Sequence, residues 1–458
     1  MSTRVSRRTF LGNSSKAAVG AAAVTTLLRD ASAGGANHKH TVALIGCGGM
    51  GQFKMGNFID SKRCEVLAVC DVDPAKLKQA AKSVTDKGGK TPKMVERYEE
   101  VVENKDIDIV IVATPDHWHA HPMMAAVANE KDVYCEKPCC HNIKEGRAML
   151  DAATKYKRVV QVGTHQRSIK HLQQARDFIR EGKLGVISQT NTFTYGNDAP
   201  DGLGHEPDTA PPEGVNYERW LGPAPVRPFN MRRFHSSWRW YFDYASGMVG
   251  DWNVHLMDII MWSMQVSAPR AVSTSGGKFV LTDDRDTPDT MQAVYEFGPA
   301  KNAPKGFTQT YTMRKASGRP WSAGGYGMDL HGTKGKCHLD RGIFTVEGDA
   351  IDWQKDHTKR IEDFENKSGN DLQGHADHVA DFLDCVEKRE KPIATIESHY
   401  NTVVACHLAN VSLRVGRKIF WDDQRELCFT DAKLEIPDKD ANQLLTREYR
   451  KGYELPEV

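Results

Sequence analysis

Ten residues near the start constrain this chain more than any others: Val42-Ala43-Leu44-Ile45-Gly46-Cys47-Gly48-Gly49-Met50-Gly51. An apolar strand here runs directly into G-x-G-x-x-G, and each glycine has its own reason. Gly46 permits a tight turn, Gly48 lets the backbone approach a pyrophosphate, and Gly51 lets the following helix pack closely on the strand. Gly49, Met50 and Gly51 then open that helix, whose unbonded N–H groups face the phosphates. A glycine loop alone is a weak signal. A second strand, Glu65–Cys70, ends in Asp71, twenty residues after Gly51. A carboxylate there accepts hydrogen bonds from ribose hydroxyls and repels a 2′-phosphate, so the reading favours NAD over NADP. Asp73 is a neighbouring acid able to do either job.

From Thr41 to Gly163 short β-rich runs alternate with helical stretches, the pattern of a parallel sheet covered by helices. Strands are expected at Thr41–Ile45, Glu65–Cys70, Ile109–Ala113, Val133–Cys135 and Val159–Val162. Helices are expected at Pro74–Thr85 and Ile143–Tyr156, capped by Asp73 and Asn142. After His165 the character changes. A helix over Lys170–Glu181 leads into a strand over Val186–Tyr195, then a Gly/Pro/Asp-rich stretch. Met291–Phe297, Thr308–Met313 and Gly342–Glu347 read as strands of a second, mainly antiparallel sheet, and His375–Lys388 and Ser398–Val415 as helices. The fold class is therefore α/β, an N-terminal doubly wound Rossmann domain over 41–163 followed by an α+β domain over 164–420. Residues 421–458 read as a polar tail wrapped over this domain or a neighbouring subunit.

The first 33 residues read as a leader, joined by a linker at 34–40. Ser6-Arg7-Arg8-Thr9-Phe10-Leu11 matches a twin-arginine export signal, followed by an Ala-rich stretch and the small-residue site Ala31-Ser32-Ala33. The expected location is thus periplasmic or otherwise exported. The leader holds five basic residues and one acid, so the remaining chain carries 56 Lys+Arg against 59 Asp+Glu, a net −3. That balance gives nucleic acid or an anionic membrane no hold, and no apolar run is long enough to span a bilayer. The ten cysteines follow neither a disulfide framework nor zinc spacing. The twin-arginine route carries folded proteins, so thiols buried before crossing are compatible with export.

Three further segments carry chemistry: Thr114-Pro115-Asp116-His117-Trp118-His119, Glu136-Lys137-Pro138 directly after a strand, and Gly250-Asp251-Trp252-Asn253-Val254-His255. Together with the glycine loop and Asp71 they resemble the Gfo/Idh/MocA family (glucose–fructose oxidoreductase, inositol dehydrogenase and relatives) over essentially the whole chain after the leader. The resemblance implies that Lys137, Asp251 and His255 converge on the substrate carbon facing a nicotinamide. It also implies an open sheet in the second domain, through which relatives pair, so a dimer or tetramer is expected.

The residues themselves support those roles. Oxidising an alcohol by hydride transfer needs a group to take the hydroxyl proton. Lys137 sits at the carboxyl end of a parallel strand, where open α/β sheets bind ligands, and an imidazole such as His255 titrates near neutrality unaided. At i, i+4 on one helix face, Asp251 would orient the His255 ring or hold a substrate hydroxyl. Thr114, Pro115, His117, Trp118, His119 and Glu136 are taken as cofactor contacts, with packing alone as the other reading of Pro115, His117 and Trp118. His117, His119 and His121 cannot all face one ion at their spacing, so no metal is expected. His165 and Arg167 open the second domain and are taken as substrate contacts. Trp238, with Arg239 beside it, offers a ring face and a cation to a sugar, or serves the core or a dimer contact.

The expected activity is hydride transfer between NAD and a sugar or cyclitol. Outside the cytoplasm no pool of free NAD exists, so the cofactor would be loaded before export and rarely released. Ping-pong transfer between two sugars and transient oxidation that assists hydrolysis or elimination both fit that condition. A binding protein that holds a dinucleotide without turnover is the reading from another class, against which Lys137, Asp251 and His255 together argue.

Overall fold

The computed structural model describes residues 39–318, 324–348 and 367–457; the leader and its twin-arginine motif lie outside the described residues. The first sheet has six strands: β1 (His40–Ile45), β2 (Cys64–Cys70), β3 (Lys93–Val95), β4 (Ile109–Val112), β5 (Asp132–Cys135) and β6 (Val160–Val162). Their order is 3-2-1-4-5-6 and every pairing is parallel, the doubly wound arrangement. β4 reads Ile-Val-Ile-Val and is buried at every position, as a strand covered by helices on both faces must be. β3 is too short and too polar for its pattern to mark it as a strand. The two expected caps are in place: Asp73 accepts from Ala75 N at 2.8 Å at the head of Pro74–Asp86, and Asn142 from Glu145 N at 3.0 Å at the head of Ile143–Tyr156.

The second sheet has ten strands: β7 (Ile187–Tyr195), β8 (Ala271–Gly277), β9 (Thr290–Phe297), β10 (Phe307–Arg314), β11 (Tyr326–Gly332), β12 (Gly335–Leu339), β13 (Ile343–Gly348), β14 (Lys367–Ser368), β15 (Ile419–Asp422) and β16 (Leu427–Phe429). They run in the order 14-13-12-11-7-10-9-8-15-16. All neighbours are antiparallel except β7 with β10. The apolar helices Val254–Met264 and Ile396–Val415 pack against this sheet and are buried along most of their length. Among the described residues no helix is long and apolar enough to cross a membrane.

Two segments leave the domain in which the sequence placed them. The helix Asp371–Lys388 lies in the chain between β14 and β15 of the second sheet, yet its Val379, Phe382 and Leu383 join the Rossmann core with Phe58 and Tyr134. Phe382 meets those two rings edge-on at 6.0 and 5.9 Å. The segment after 420, expected as a polar tail, first supplies β15 and β16, with Trp421 only 3% exposed. It then returns to the Rossmann domain, where Arg447 Nη2 donates to Glu145 Oε1 at 2.7 Å and to the His117 carbonyl at 2.9 Å. All ten cysteines are buried and free.

Phe382 therefore carries an inter-domain contact with no polar substitute. Phe382→Ala should cost about 3–5 kcal/mol, read as a lowered midpoint in denaturant unfolding of the full chain.

Candidate active site

A cavity of about 600 Å³ lies between the carboxyl edge of the first sheet and the second domain. At one end is the glycine loop. Gly46 has φ +93°, and a Cβ there would collide with the Ala113 carbonyl; one on Gly51 would collide with the Gly46 carbonyl oxygen. Gly48 and Gly49 differ, because a Cβ on either would point into open space. Both line the cavity with Met50, at the start of the helix Gly49–Asp60, which has neither a side-chain cap nor an acid in its first turn. Its first N–H groups are thus available to an anion.

Asp71, at the end of β2, lines the same cavity and accepts from Cys47 N at 2.7 Å and Asp73 N at 3.0 Å. Burial raises its carboxyl to about 6, against the pull of those backbone donors. Of the two acids only Asp71 faces the cavity, since Asp73 caps its helix and pairs with His235 Nε2 at 3.2 Å. Thr114 Oγ1, nearby and buried, has no partner among the described residues. Open space at two glycines, an uncapped helix start, a ribose-facing carboxylate and an orphan hydroxyl suit a dinucleotide. A segment of the second domain covers this end: Asn216 N donates to Val72 O at 3.0 Å, Asn216 Nδ2 to Glu96 Oε1 at 2.6 Å, and Trp220 and Phe234 line the wall.

Lys137, Asp251 and His255 meet at the other end. Lys137 Nζ donates to Asp251 Oδ1 at 2.8 Å and to the Asp251 carbonyl at 2.5 Å. Arg239 Nε reaches the same Oδ1 at 3.2 Å. Burial alone would raise Asp251, but the two cations outweigh it and hold the carboxyl at about 2. The segment Val249–Asn253 is one wide π-helical turn leading into Val254–Met264, not the regular helix expected from the i, i+4 spacing. The carboxylate goes to Lys137 and Arg239, while His255 Nδ1 is buried with no partner among the described residues. The expected Asp251–His255 orientation is thereby corrected. Burial, with Lys137 and Arg341 adding to it, also holds His255 well below the usual imidazole range, so the ring is neutral rather than poised to titrate.

Two further expectations change. His117 does not reach the cavity; its Nε2 lies 3.0 Å from the Trp220 carbonyl and its ring packs on Trp220 and Tyr244. His119 does line the cavity, with Nδ1 2.7 Å from the Pro138 carbonyl oxygen and Nε2 2.9 Å from that of Thr114. His121 turns to the Tyr453 carbonyl at 2.9 Å, so the three rings serve three separate places. Arg167 does not line the cavity: it is buried in a two-point pair with Asp258, Nε–Oδ2 and Nη2–Oδ1 both 2.7 Å. Pro115, Trp118, Glu136, His165 and Trp238 do line the cavity. Trp118 Nε1 donates to the Trp220 carbonyl at 2.9 Å, so the ring serves packing as well.

A buried cluster behind Lys137 escaped the sequence reading. Lys54 is fully buried; its Nζ donates to His375 Nδ1 at 2.6 Å and lies 3.7 Å from Glu136 Oε1. His375 stacks on His165 at 3.5 Å, and His165 Nε2 meets Asp371 Oδ1 at 2.7 Å. The available signal was periodicity, because Gly51, Lys54, Met55 and Phe58 form the buried stripe of their helix. His165, Asp371 and His375 bring three donor atoms within 4.8 Å, but the Lys54 ammonium already occupies His375 and Arg341 lies on Asp371 at 3.4 Å.

Residues 40–164 match the model of an oxidoreductase family with an NAD-binding Rossmann fold, and residues 163–278 match the model of that family's C-terminal alpha/beta domain. The rhizopine catabolism protein MocA of Rhizobium meliloti is 31% identical over 159 residues, 35% of this chain and 48% of that protein. Inositol 2-dehydrogenase of Salmonella typhimurium is 31% identical over 122 residues, 26% of this chain and 35% of that one. The matches span less than half of these curated relatives. Levoglucosan dehydrogenase, solved in complex with NADH, superposes with a TM-score of 0.63 at 17% identity, over 83% of this chain and 98% of that one, which shows a shared fold.

The Arg167 assignment is open to measurement. Arg167→Leu leaves Asp258 buried and unpaired and should lower stability by about 3–5 kcal/mol. A variant as stable as the parent but with a raised sugar KM would return Arg167 to the substrate site.

Proposed function

Because the chain belongs to the Gfo/Idh/MocA oxidoreductase family, we propose that it moves hydride between NAD and a ring carbon of a sugar or cyclitol. The observation that carries this is one cavity with a phosphate cradle and Asp71 at one end and Lys137 on Asp251, beside a neutral His255, at the other. Gly48, Gly49 and Met50 would hold the pyrophosphate and Asp71 the ribose, where a 2′-phosphate would meet a carboxylate. Bound NAD supplies the hydride acceptor. The chain's own part is to orient the alcohol and take its proton. Lys137, fixed by two bonds to Asp251, stands where a hydroxyl proton can be received, and the unpartnered Nδ1 of His255 is the neighbouring acceptor.

Lys137→Ala should abolish reduction of the nicotinamide by sugar, a loss of at least about a hundredfold, while dinucleotide still binds. Hydride transfer at the parental rate would remove Lys137 from the chemistry.

The reading extends to location and assembly. We place the mature protein outside the cytoplasm on the twin-arginine motif at Arg7-Arg8, with its ten buried thiols folded before crossing and its cofactor kept through successive turnovers. Pairing into a dimer or tetramer through the open face of the second sheet is the assembly this reading expects. Cell fractionation with mass determination should find a chain beginning after Ala33 in the exported fraction; full-length chain confined to the cytoplasm would end the export proposal.

A further inference from the structure

We propose that the sugar carries a carboxylate and that Arg239 and Arg341 select it. This deepens the hydride-transfer reading by naming the substrate class, and it rests on that reading for where the sugar lies. Two arginines from distant segments reach the Lys137 end of the cavity, one from the turn His235–Trp240 and the other from the hairpin turn between β12 and β13. Each guanidinium lies over an indole, Arg239 Cζ 4.3 Å from the Trp238 ring centre and Arg341 Cζ 4.7 Å from that of Trp252. One face of each tryptophan is thereby taken by a cation instead of being left for a neutral sugar ring. Stacking also holds each planar fork in place, which lowers the entropy lost when it binds a carboxylate.

Neither fork is saturated. Arg239 shares a single Asp251 oxygen with Lys137 and otherwise donates to the Ser236 carbonyl at 3.3 Å. Arg341 gives Nη1 to Asp371 at 3.4 Å, while its buried Nε has no partner among the described residues. The charge balance points the same way. Among the described residues the Arg239 guanidinium pairs only with Asp251, one oxygen of which Lys137 also holds, and that of Arg341 only with Asp371. Glu136 belongs to Lys54, and burial pushes Asp116 well above the usual carboxyl range, against the pull of Arg239 and Lys137. His165, His255 and His375 are all held low, chiefly by burial, and act as neutral rings. Oxidised nicotinamide adds another positive charge, and an anionic substrate completes the set. An arginine fork meets a carboxylate through two parallel hydrogen bonds.

The test compares D-glucuronate, D-gluconate, D-glucose and D-glucose 6-phosphate on the NAD-loaded full chain, following the near-ultraviolet band of reduced nicotinamide. Calorimetry of the same compounds with NAD-loaded Lys137→Ala protein reads binding without turnover. One of the two acids should exceed glucose in kcat/KM by roughly tenfold to a hundredfold; which acid leads tells whether the carboxylate sits at the far or the reducing end. Arg341→Gln should remove that preference mainly through KM, and Arg341→Lys should restore part of it. Glucose used as well as either acid, or glucose 6-phosphate best of all, would overturn the proposal. Were no compound oxidised, the hydride reading would fail on its own. Calorimetry would then still decide this one: acid binding that Arg341→Gln abolishes supports it, and no acid binding ends it.

Discussion

Lys137 and Asp251 meet across the boundary between two domains, and the catalytic end of the cavity is arranged around that pairing. Lys137 comes from the edge of β5, Asp251 from a wide turn in the second domain. A π-helical turn leaves a carbonyl out of the regular ladder, and the Asp251 carbonyl is one of the two acceptors that Lys137 uses. The carboxylate supplies the other and binds Arg239 as well. An ammonium left alone in such a place would cost several kcal/mol. The geometry that positions the Lys137 side chain is therefore the same geometry that makes its burial tolerable, and neither domain provides it alone.

The rest of the interface extends this logic. The buried His119 ring packs between the carbonyls of Thr114 and Pro138, beside the loop after β4 and the Lys137 turn, and donates to one of the two. Gly163 stands opposite Glu136, where a Cβ would lie 2.7 Å from Oε1. Glu136 is thus held near Lys54, and Lys54 in turn holds His375 in its stack on His165. Local environment sorts the cavity's titratable groups. Burial raises Asp71 and Asp116, neighbouring cations hold Asp251 low against burial, and the histidines stay neutral. A helix that lies in sequence between two strands of the second sheet completes the cluster by packing Phe382 on the Rossmann core.

The parts legible in the sequence are those dictated by backbone geometry. G-x-G-x-x-G after an apolar run, Asp71 at the next strand end and the caps Asp73 and Asn142 each express a constraint local to a few residues. The second sheet was legible in outline, because β9 and β10 alternate cleanly. What could not be read depends on pairing at a distance. Arg167 looked like a ligand contact beside His165, but Asp258 lies 91 residues away and claims it. His117 and His119 differ by two positions yet face different structures, because a short 3-10 turn at Asp116–Trp118 replaces regular helix or strand. Lys54 sits in an apolar stripe where only its unseen partners explain a lysine. The return of the chain from β16 to Glu145 and His117 leaves no local mark at all.

The Asp71 end of the cavity depends on the second domain as well. Asn216 bonds the Val72 carbonyl and Glu96, His235 pairs with Asp73, and Trp220 and Phe234 stand over the cavity wall. These residues belong to the second domain and stand against the Asp71 end of the cavity. The wall there is built by both domains, as is the Lys137–Asp251 pair at the other end. Both ends of the cavity thus depend on the same docking of the two domains, so a substitution that loosens the docking acts on both ends together.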